Sequence, residues 1–372
     1  MKIIKIGSLL CFILLACSGC WDQRLLKDKG VITIISFDLV KKELLETVAF
    51  PISIKGQDTS QEQEAVTVSG KGASTQDATE QINKKFAEEL DYSKVQVFLI
   101  GEKLAKQSIL PVMDTFYRDS KSPLNAYVAI VKGTAKEALS IVPPEQPLKG
   151  AYFNGLIKSA IKLGELPEVT VQDTSSKLEA AEKDILIPHI KLTDEQNRAT
   201  VIGLALFNQN RFVGELSNLE AKMYLLLNGE NRKKRTFTFK VSNKKKNELS
   251  NQVTFNVLKM KRNLVVKEKS DNIVVNIDLD LKLSIKEYPI DHLNREDVIR
   301  ELNKNIQKEL TKAANKTIKK LQQSNCDGLG IGLRVKAFHN DIWTKINWKE
   351  TYQNIPITTN ITTTIIDYGT TE

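Results

Sequence analysis

The chain has 372 residues and a formal net charge of +9, with 41% hydrophobic, 27% charged and 6% aromatic residues. Those proportions exclude disordered, collagen-like and multi-span membrane chains, and the length predicts two or three folded domains. Four Cys and three His are too few for a disulfide scaffold or a Cys/His zinc module, and the positive balance favours an anionic partner or surface.

Lys2 and Lys5 form a positive n-region, followed by a mostly apolar run of about twelve residues that ends in small side chains. This is the size of a signal-peptide core and falls short of the roughly 20 residues a membrane-spanning helix needs. Residues 1–19 are therefore predicted to be a signal peptide. The segment Cys17-Ser18-Gly19-Cys20 places small residues directly before a cysteine, the lipobox arrangement in which the thiol takes a diacylglycerol and cleavage leaves that cysteine at the N-terminus. The predicted lipid attachment residue is Cys20. Cys17 stands where an aliphatic residue is usual, and lipidation at Cys17 itself, with Leu15 and Ala16 before it, fits less well. Cys11 and Cys17 leave with the signal, so Cys326 becomes the one remaining free thiol, read as a small core-filling residue.

Beyond the anchor, strands are predicted over residues 30–40, 48–54 and 65–69, with a polar loop over 55–64. A helix is predicted over 74–90, where Ala78, Ile82, Phe86 and Leu90 share a face at spacing four. A strand at 95–101, a helix at 104–117 kinked at Pro111, a strand at 127–132 and a short helix at 134–141 follow. Helices are predicted at 151–163 and 177–184, then a polar connector at 192–199. A hairpin over 201–214 leads to a helix at 219–227 closed by Asn228-Gly229, and strands are predicted at 236–241, 253–259 and 273–285.

The longest helix is predicted over 294–324. Val298, Leu302, Ile306, Leu310, Ala313, Ala314 and Leu321 form its apolar face, opposite Arg300, Lys304, Lys308, Lys312 and Lys319. The basic face reads as the solvated side of a helix docked on a sheet, with lipid headgroups or a protein partner as the alternative. The chain closes with a segment at 333–338, a polar helix near 341–352 and a Thr/Ile strand at 355–366. The fold class is α+β and multi-domain, with mixed sheets packed against helices and the long amphipathic helix of the C-terminal half on a sheet. The predicted division is 1–19 signal peptide, 20–196 N-terminal α+β domain, 197–270 middle β-rich domain and 271–372 C-terminal α+β domain.

No catalytic spacing stands out, and no catalytic, cofactor-binding or metal-ligating residue is assigned. His189, His292 and His339 are far apart and read as structural. Gly328-Leu329-Gly330-Ile331-Gly332 looks like a phosphate loop but is read as a tight turn leading into a strand, whereas a dinucleotide loop must open a helix. Two basic runs, Arg232-Lys233-Lys234-Arg235 and Lys244-Lys245-Lys246, flank Phe237 and Phe239. They read as turn solvation or contact with a membrane surface or polyanion, and export argues against nucleic acid.

Four stretches together resemble the Ger(x)C family, the C-subunit lipoproteins of the nutrient germinant receptors of spore-forming bacteria. The first is Ser18-Gly19-Cys20-Trp21-Asp22, with Arg24, Asp28 and Asp38. The second is Tyr117-Arg118-Asp119-Ser120-Lys121-Ser122-Pro123, then Tyr127 and Lys132-Gly133-Thr134-Ala135-Lys136-Glu137. The third is Gly203-Leu204-Ala205-Leu206-Phe207 with Val213-Gly214-Glu215-Leu216 and Glu220. The fourth is Asp327-Gly328-Leu329-Gly330 with Trp343 and Trp348. Gln23, Leu25 and Leu329 depart from the usual pattern, and Tyr352 and Asn354 soften that of the terminal helix.

The resemblance implies a three-part α+β lipoprotein, palmitate-type acyl chains holding it to the outer face of the spore's inner membrane. Its implied partners are membrane lipid and two integral membrane subunits of the same receptor, with no nucleic acid, no cofactor and no enzymatic activity. The competing reading is a solute-binding lipoprotein that captures a nutrient itself, which requires a cleft with convergent polar groups. An exported enzyme acting on cell-wall polymer would instead need clustered carboxylates or His.

Overall fold

A computed structural model describes residues 29–368 except 56–60, 87–88, 144–145, 179, 181, 194–196, 231–233, 243–246, 270–271 and 291. The signal segment, Cys20, Trp21, Asp22, Arg24 and Asp28 lie outside the described residues, as do Arg232, Lys233 and the run 244–246.

The N-terminal part holds strands β1 (Lys29–Val31), β2 (Ile34–Val40), β3 (Glu43–Lys55), β4 (Gln61–Gly72), β5 (Glu89–Asp91), β6 (Val97–Gly101), β7 (Tyr127–Val131), β8 (Leu186–Thr193), β9 (Arg198–Asn208) and β10 (Arg211–Ser217). Eight of them form one mixed sheet in the order β10-β9-β8-β7-β6-β2-β3-β4, while β1 pairs with β5. Its centre, β2-β6-β7-β8, is parallel, and antiparallel strands extend it on both sides. All five residues of β6 are buried, as a central parallel strand with both faces covered requires.

Successive side chains of β6 serve opposite faces. Phe98 and Ile100 pack with helices α1 (Thr75–Asn83), α2 (Glu102–Gln107), α3 (Leu110–Arg118) and α6 (Val171–Lys177). Val97 and Leu99 pack on the other side with α4 (Ala135–Ala138) and α5 (Lys149–Lys162).

After α7 (Asn218–Leu227), strands β11 (Arg235–Lys240), β12 (Gln252–Lys269), β13 (Asn272–Glu287) and β14 (Ile357–Asp367) form a second sheet in that order. Helix α8 (Glu296–Gln323) begins the crossover from β13 to its parallel neighbour β14. Val275, Ile277, Leu279, Leu281, Leu283 and Ile285 of β13 meet Leu302, Ile306, Leu310, Ala314, Ile318 and Leu321 of α8 in one apolar cluster. The same cluster reaches Val97, Leu99, Leu204 and Leu206 of the first sheet, so the halves share a core. The α+β class and the long helix on a sheet are therefore as the sequence predicts, and Arg300, Lys304, Lys308, Lys312 and Lys319 are all exposed. The expected boundaries at 196/197 and 270/271 both fall between antiparallel neighbours, β8/β9 and β12/β13.

Several local expectations are corrected. The helix predicted over 74–90 ends at Asn83, and Leu90 instead enters β5 against Gly30. Part of the loop predicted over 55–64 is strand, because Gln61–Glu64 continue the ladder with Ile52–Lys55. The kinked helix at 104–117 is two helices, with Pro111 in the first turn of the second, where its missing N–H has no partner to lose. The helix predicted at 177–184 lies earlier, over α6, where Thr170 and Asp173 form a reciprocal capping box. The polar helix expected near 341–352 is two short helices, α10 (Asn340–Trp343) and α11 (Trp348–Thr351). The segment after Gly330 is helix α9 (Ile331–Phe338), not a strand.

Candidate functional site

Of the residues in the family-like stretches, Asp38, Glu220 and Asp327 sit at joints between elements, whereas the run 117–121 is exposed. Asp38, buried at the end of β2, accepts from the Ala135 and Lys136 backbone N–H at 2.8 and 2.7 Å and so caps α4. Burial pushes its pKa up against those two bonds. Ser217 and Glu220 form a capping box on α7, and Glu220 also accepts from Lys320 at 2.6 Å and pairs with Lys316 at 3.2 Å. That carboxylate fastens α7 to α8. Its pKa is held near 2: burial alone would raise it, but the bonds from Lys320, Ser217 and Lys316 prevail.

The turn from Asp327 to Gly332 opens α9, yet its helix N-terminus is already filled. Both Asp327 oxygens accept, from Ile331 N–H at 2.9 Å and Gly332 N–H at 2.7 Å, and Trp348 Nε1 donates to the same carboxylate at 3.2 Å. Gly330 takes φ +66°, the left-handed conformation that turns the chain into the helix. The protein's own carboxylate thus occupies the place where a phosphate would bind. Burial raises the Asp327 pKa to about 6. Neighbouring Cys326 is fully buried and burial pushes its thiol well up, so it sits as the core-filling residue the sequence predicts.

Of the three histidines, His292 is exposed and His339 is half-buried. His189, on β8, is 1% exposed and lies between two carboxylates from other elements. Its Nε2 is 3.3 Å from Glu102 Oε1 at the start of α2, and its Nδ1 is 3.2 Å from Glu215 Oε2 on β10. Neither approach has the geometry of a ring N–H hydrogen bond. Phe212 meets the imidazole edge-on at 5.7 Å. Burial lowers the His189 pKa, against the pull of Glu215 and Glu102. Nothing in the sequence marks this cluster, since its members are brought together only by the closing of β8 against β9 and β10.

The aromatic residues between the basic runs face inward. Phe237, Phe239 and Phe255 stack on one another at 5.8–6.0 Å between centroids and are buried, which removes them as a platform for bases. A groove of about 710 Å³ runs between the end of β11 and the start of α8, lined by Lys240, Tyr288, Val298, Glu301, Lys308 and Lys312 among others. None of the described lining residues is buried, so they do not form the enclosed, converging polar set of a solute site. No described helix is long and apolar enough to cross a membrane. Cys20 lies outside the described residues.

Comparison with known proteins gives a consistent set of similarities. Residues 22–192 match the family described as Spore germination protein N-terminal domain, and residues 202–369 match Spore germination B3/GerAC like, C-terminal. The chain is 20% identical to spore germination protein GerQC of Bacillus cereus over 95% of this chain and 96% of that one. It is 22% identical to spore germination protein KC of Bacillus subtilis, over 91% and 89% of the two chains. The crystal structure of the GerBC protein superposes with a TM-score of 0.59 at 18% identity, covering 90% of this chain and 97% of that one, which shows a shared fold.

Proposed function

The chain belongs to the Ger(x)C family of spore germination proteins, and on that premise we propose that it is the lipid-anchored, non-enzymatic subunit of a nutrient germinant receptor. In this reading Cys20 carries the lipid, the folded part rests on the outer face of the spore's inner membrane, and two integral membrane subunits of the same receptor are its partners. The observation that carries the proposal is the pair of family matches, spanning 22–192 and 202–369, with Ser18-Gly19-Cys20 immediately upstream of the first.

The geometry is consistent with a protein that acts through surfaces. The family-like residues Asp38, Glu220 and Asp327 spend their carboxylates on helix caps and on joints between elements. The thiol of Cys326 is enclosed. The experiment is purification of the native protein from spore inner membranes with identification of what accompanies it, together with germination assays on spores lacking it. Two co-purifying membrane proteins and a lost response to at least one nutrient are the expected results. A protein that purifies alone from spores with unchanged nutrient responses would overturn the proposal.

A further inference from the structure

We propose that Glu102, His189 and Glu215 form a binding site for one divalent transition-metal ion of the Zn²⁺ or Co²⁺ class. This inference goes beyond the receptor reading and does not depend on it.

Three observations carry it. The first is convergence: one ligand atom from each residue lies within 4.8 Å of the others, although they come from α2, β8 and β10. The second is the state of the histidine. It is almost fully buried, and both ring nitrogens lack a well-formed hydrogen bond while facing carboxylate oxygens at 3.2–3.3 Å. A buried imidazole normally satisfies at least one nitrogen. Two ligands about 2.0–2.1 Å from one tetrahedral ion sit roughly 3.3 Å apart, so the Nε2 to Glu102 separation is already that of neighbouring ligands.

The third observation is how the backbone aims the side chains. The β8–β9 register slips between His189 and Ile190, and the β9–β10 register slips between Phe212 and Gly214, two bulges that flank the cluster. Bulges re-aim side chains and are frequent beside functional sites. Opposite His189, Gly203 has φ +136°, and a Cβ there would lie 1.8 Å from the Leu216 carbonyl oxygen. Only glycine lets β9 approach β10 closely enough at this point.

One imidazole and two carboxylates suit zinc or another borderline divalent ion, whereas calcium and magnesium prefer an all-oxygen set. The ion takes Nε2 beside Glu102, and the half-exposed Glu215 side chain, now 3.2 Å from the other ring nitrogen, swings to the Nε2 side to complete the set and open access. Lys106 Nζ, 3.3 Å from Glu102 Oε2, and Lys132 Nζ, 3.7 Å from Glu215 Oε2, are the cations a metal ion competes with; both are on the surface. Glu102 and His189 belong to the segment matched by the first family and Glu215 to the second. A bound ion therefore staples the two halves beside the place where Lys320 of α8 reaches the Glu215 carbonyl at 3.4 Å.

The test is titration of the tag-free full chain in detergent with Zn²⁺ by calorimetry and with Co²⁺ by visible absorption. One equivalent should bind, with a Co²⁺ spectrum of low coordination number and a thermal midpoint that rises with the metal. Glu102→Gln and Glu215→Gln should each weaken binding by about tenfold or more, His189→Ala should abolish it, and Lys132→Ala should tighten it. Glu215→Gln alters a half-exposed side chain, so it reports on the site even if His189→Ala does not fold. Absence of stoichiometric binding to the wild-type chain, or binding unchanged by Glu215→Gln and Glu102→Gln, would overturn the proposal.

Discussion

Asp184 and Lys349, 165 positions apart, form a salt bridge in which the lysine Nζ lies 2.7 and 2.8 Å from the two carboxylate oxygens, with the aspartate side chain fully buried. The same carboxylate accepts from Gln209 N–H and Asp327 N–H, each at 2.8 Å, and the Asp184 N–H donates back to the Asp327 carbonyl. One side chain from the N-terminal half therefore satisfies backbone groups of the β9–β10 turn and of the turn into α9. It is a joint between the halves that needs every partner in place.

Replacing one member of this joint should cost more than a surface salt bridge. Lys349→Met leaves a buried carboxylate without its cation, which in comparable settings costs about 3–5 kcal/mol. Because Lys349 is 23% exposed, the lower end is expected. Chemical denaturation followed by tryptophan fluorescence would measure it, since Trp348 donates to Asp327 beside the joint. The double variant with Asp184→Asn should lose less than the sum of the single losses, and strict additivity would refute the coupling.

Glu46 makes stability depend on pH in a definite direction. It sits on β3 with its side chain buried, and burial raises its pKa from 4.5 to about 7 against the bond donated by Thr79 at 2.7 Å. The folded chain therefore binds this proton more tightly than the unfolded chain between those values. Its contribution is destabilising above pH 7 and is relieved as pH falls toward 4.5. Glu46→Gln should stabilise by about 3 kcal/mol at pH 8, and that gain should vanish near pH 4.5. Denaturation midpoints of both proteins across this range would show it, and a gain independent of pH would contradict the account.

Glu220 acts in the opposite sense. Its side chain is 3% exposed and its pKa is held near 2 by Lys320, Ser217 and Lys316 despite burial. Its stabilisation is fully present above the unfolded value of about 4.5 and is lost as pH falls toward 2. Glu220→Gln should cost about 2 kcal/mol at pH 7, with the gap to wild type closing below pH 4. A gap that stayed constant down to pH 3 would show that packing, not charge, fastens α7 to α8.

What the sequence disclosed was the structure whose cause is local. Helix α8 and strand β13 repeat their apolar residues at periods of 3.6 and 2 over many turns and pleats, and both lie where those periods place them. The spacing of Phe86 and Leu90 is equally helical, but pairing with β1 claims Leu90 for a strand, a contact no local pattern encodes. Helix α9 was hidden for a related reason. Its cap is Asp327 folding back onto Ile331 and Gly332, and that carboxylate is placed by Trp348 and the Asp184 joint. The His189 cluster is the extreme case, since positions 102, 189 and 215 share nothing until two bulges and Gly203 bring β8, β9 and β10 together.

The last prediction concerns the anchor. If Cys20 carries two or three acyl chains, each buried methylene adds about 0.8 kcal/mol and the protein stays on the membrane essentially permanently. The alternative source of attachment is the exposed row Lys304, Lys308, Lys312 and Lys319 on α8. Each lysine close to an anionic surface contributes about 1 kcal/mol, and that attraction fades within a Debye length of about 8 Å at physiological salt. Cys20→Ala should therefore be found in the soluble fraction, bind anionic vesicles only at low salt and carry no acyl mass, whereas Cys17→Ala should behave as wild type. Tethering also confines the protein to the layer where membrane partners lie, which raises their effective concentration to roughly the millimolar range. Spores carrying Cys20→Ala at ordinary abundance should respond poorly to nutrient. A normal response from that soluble protein would show that its surface affinity for the partners suffices without the lipid.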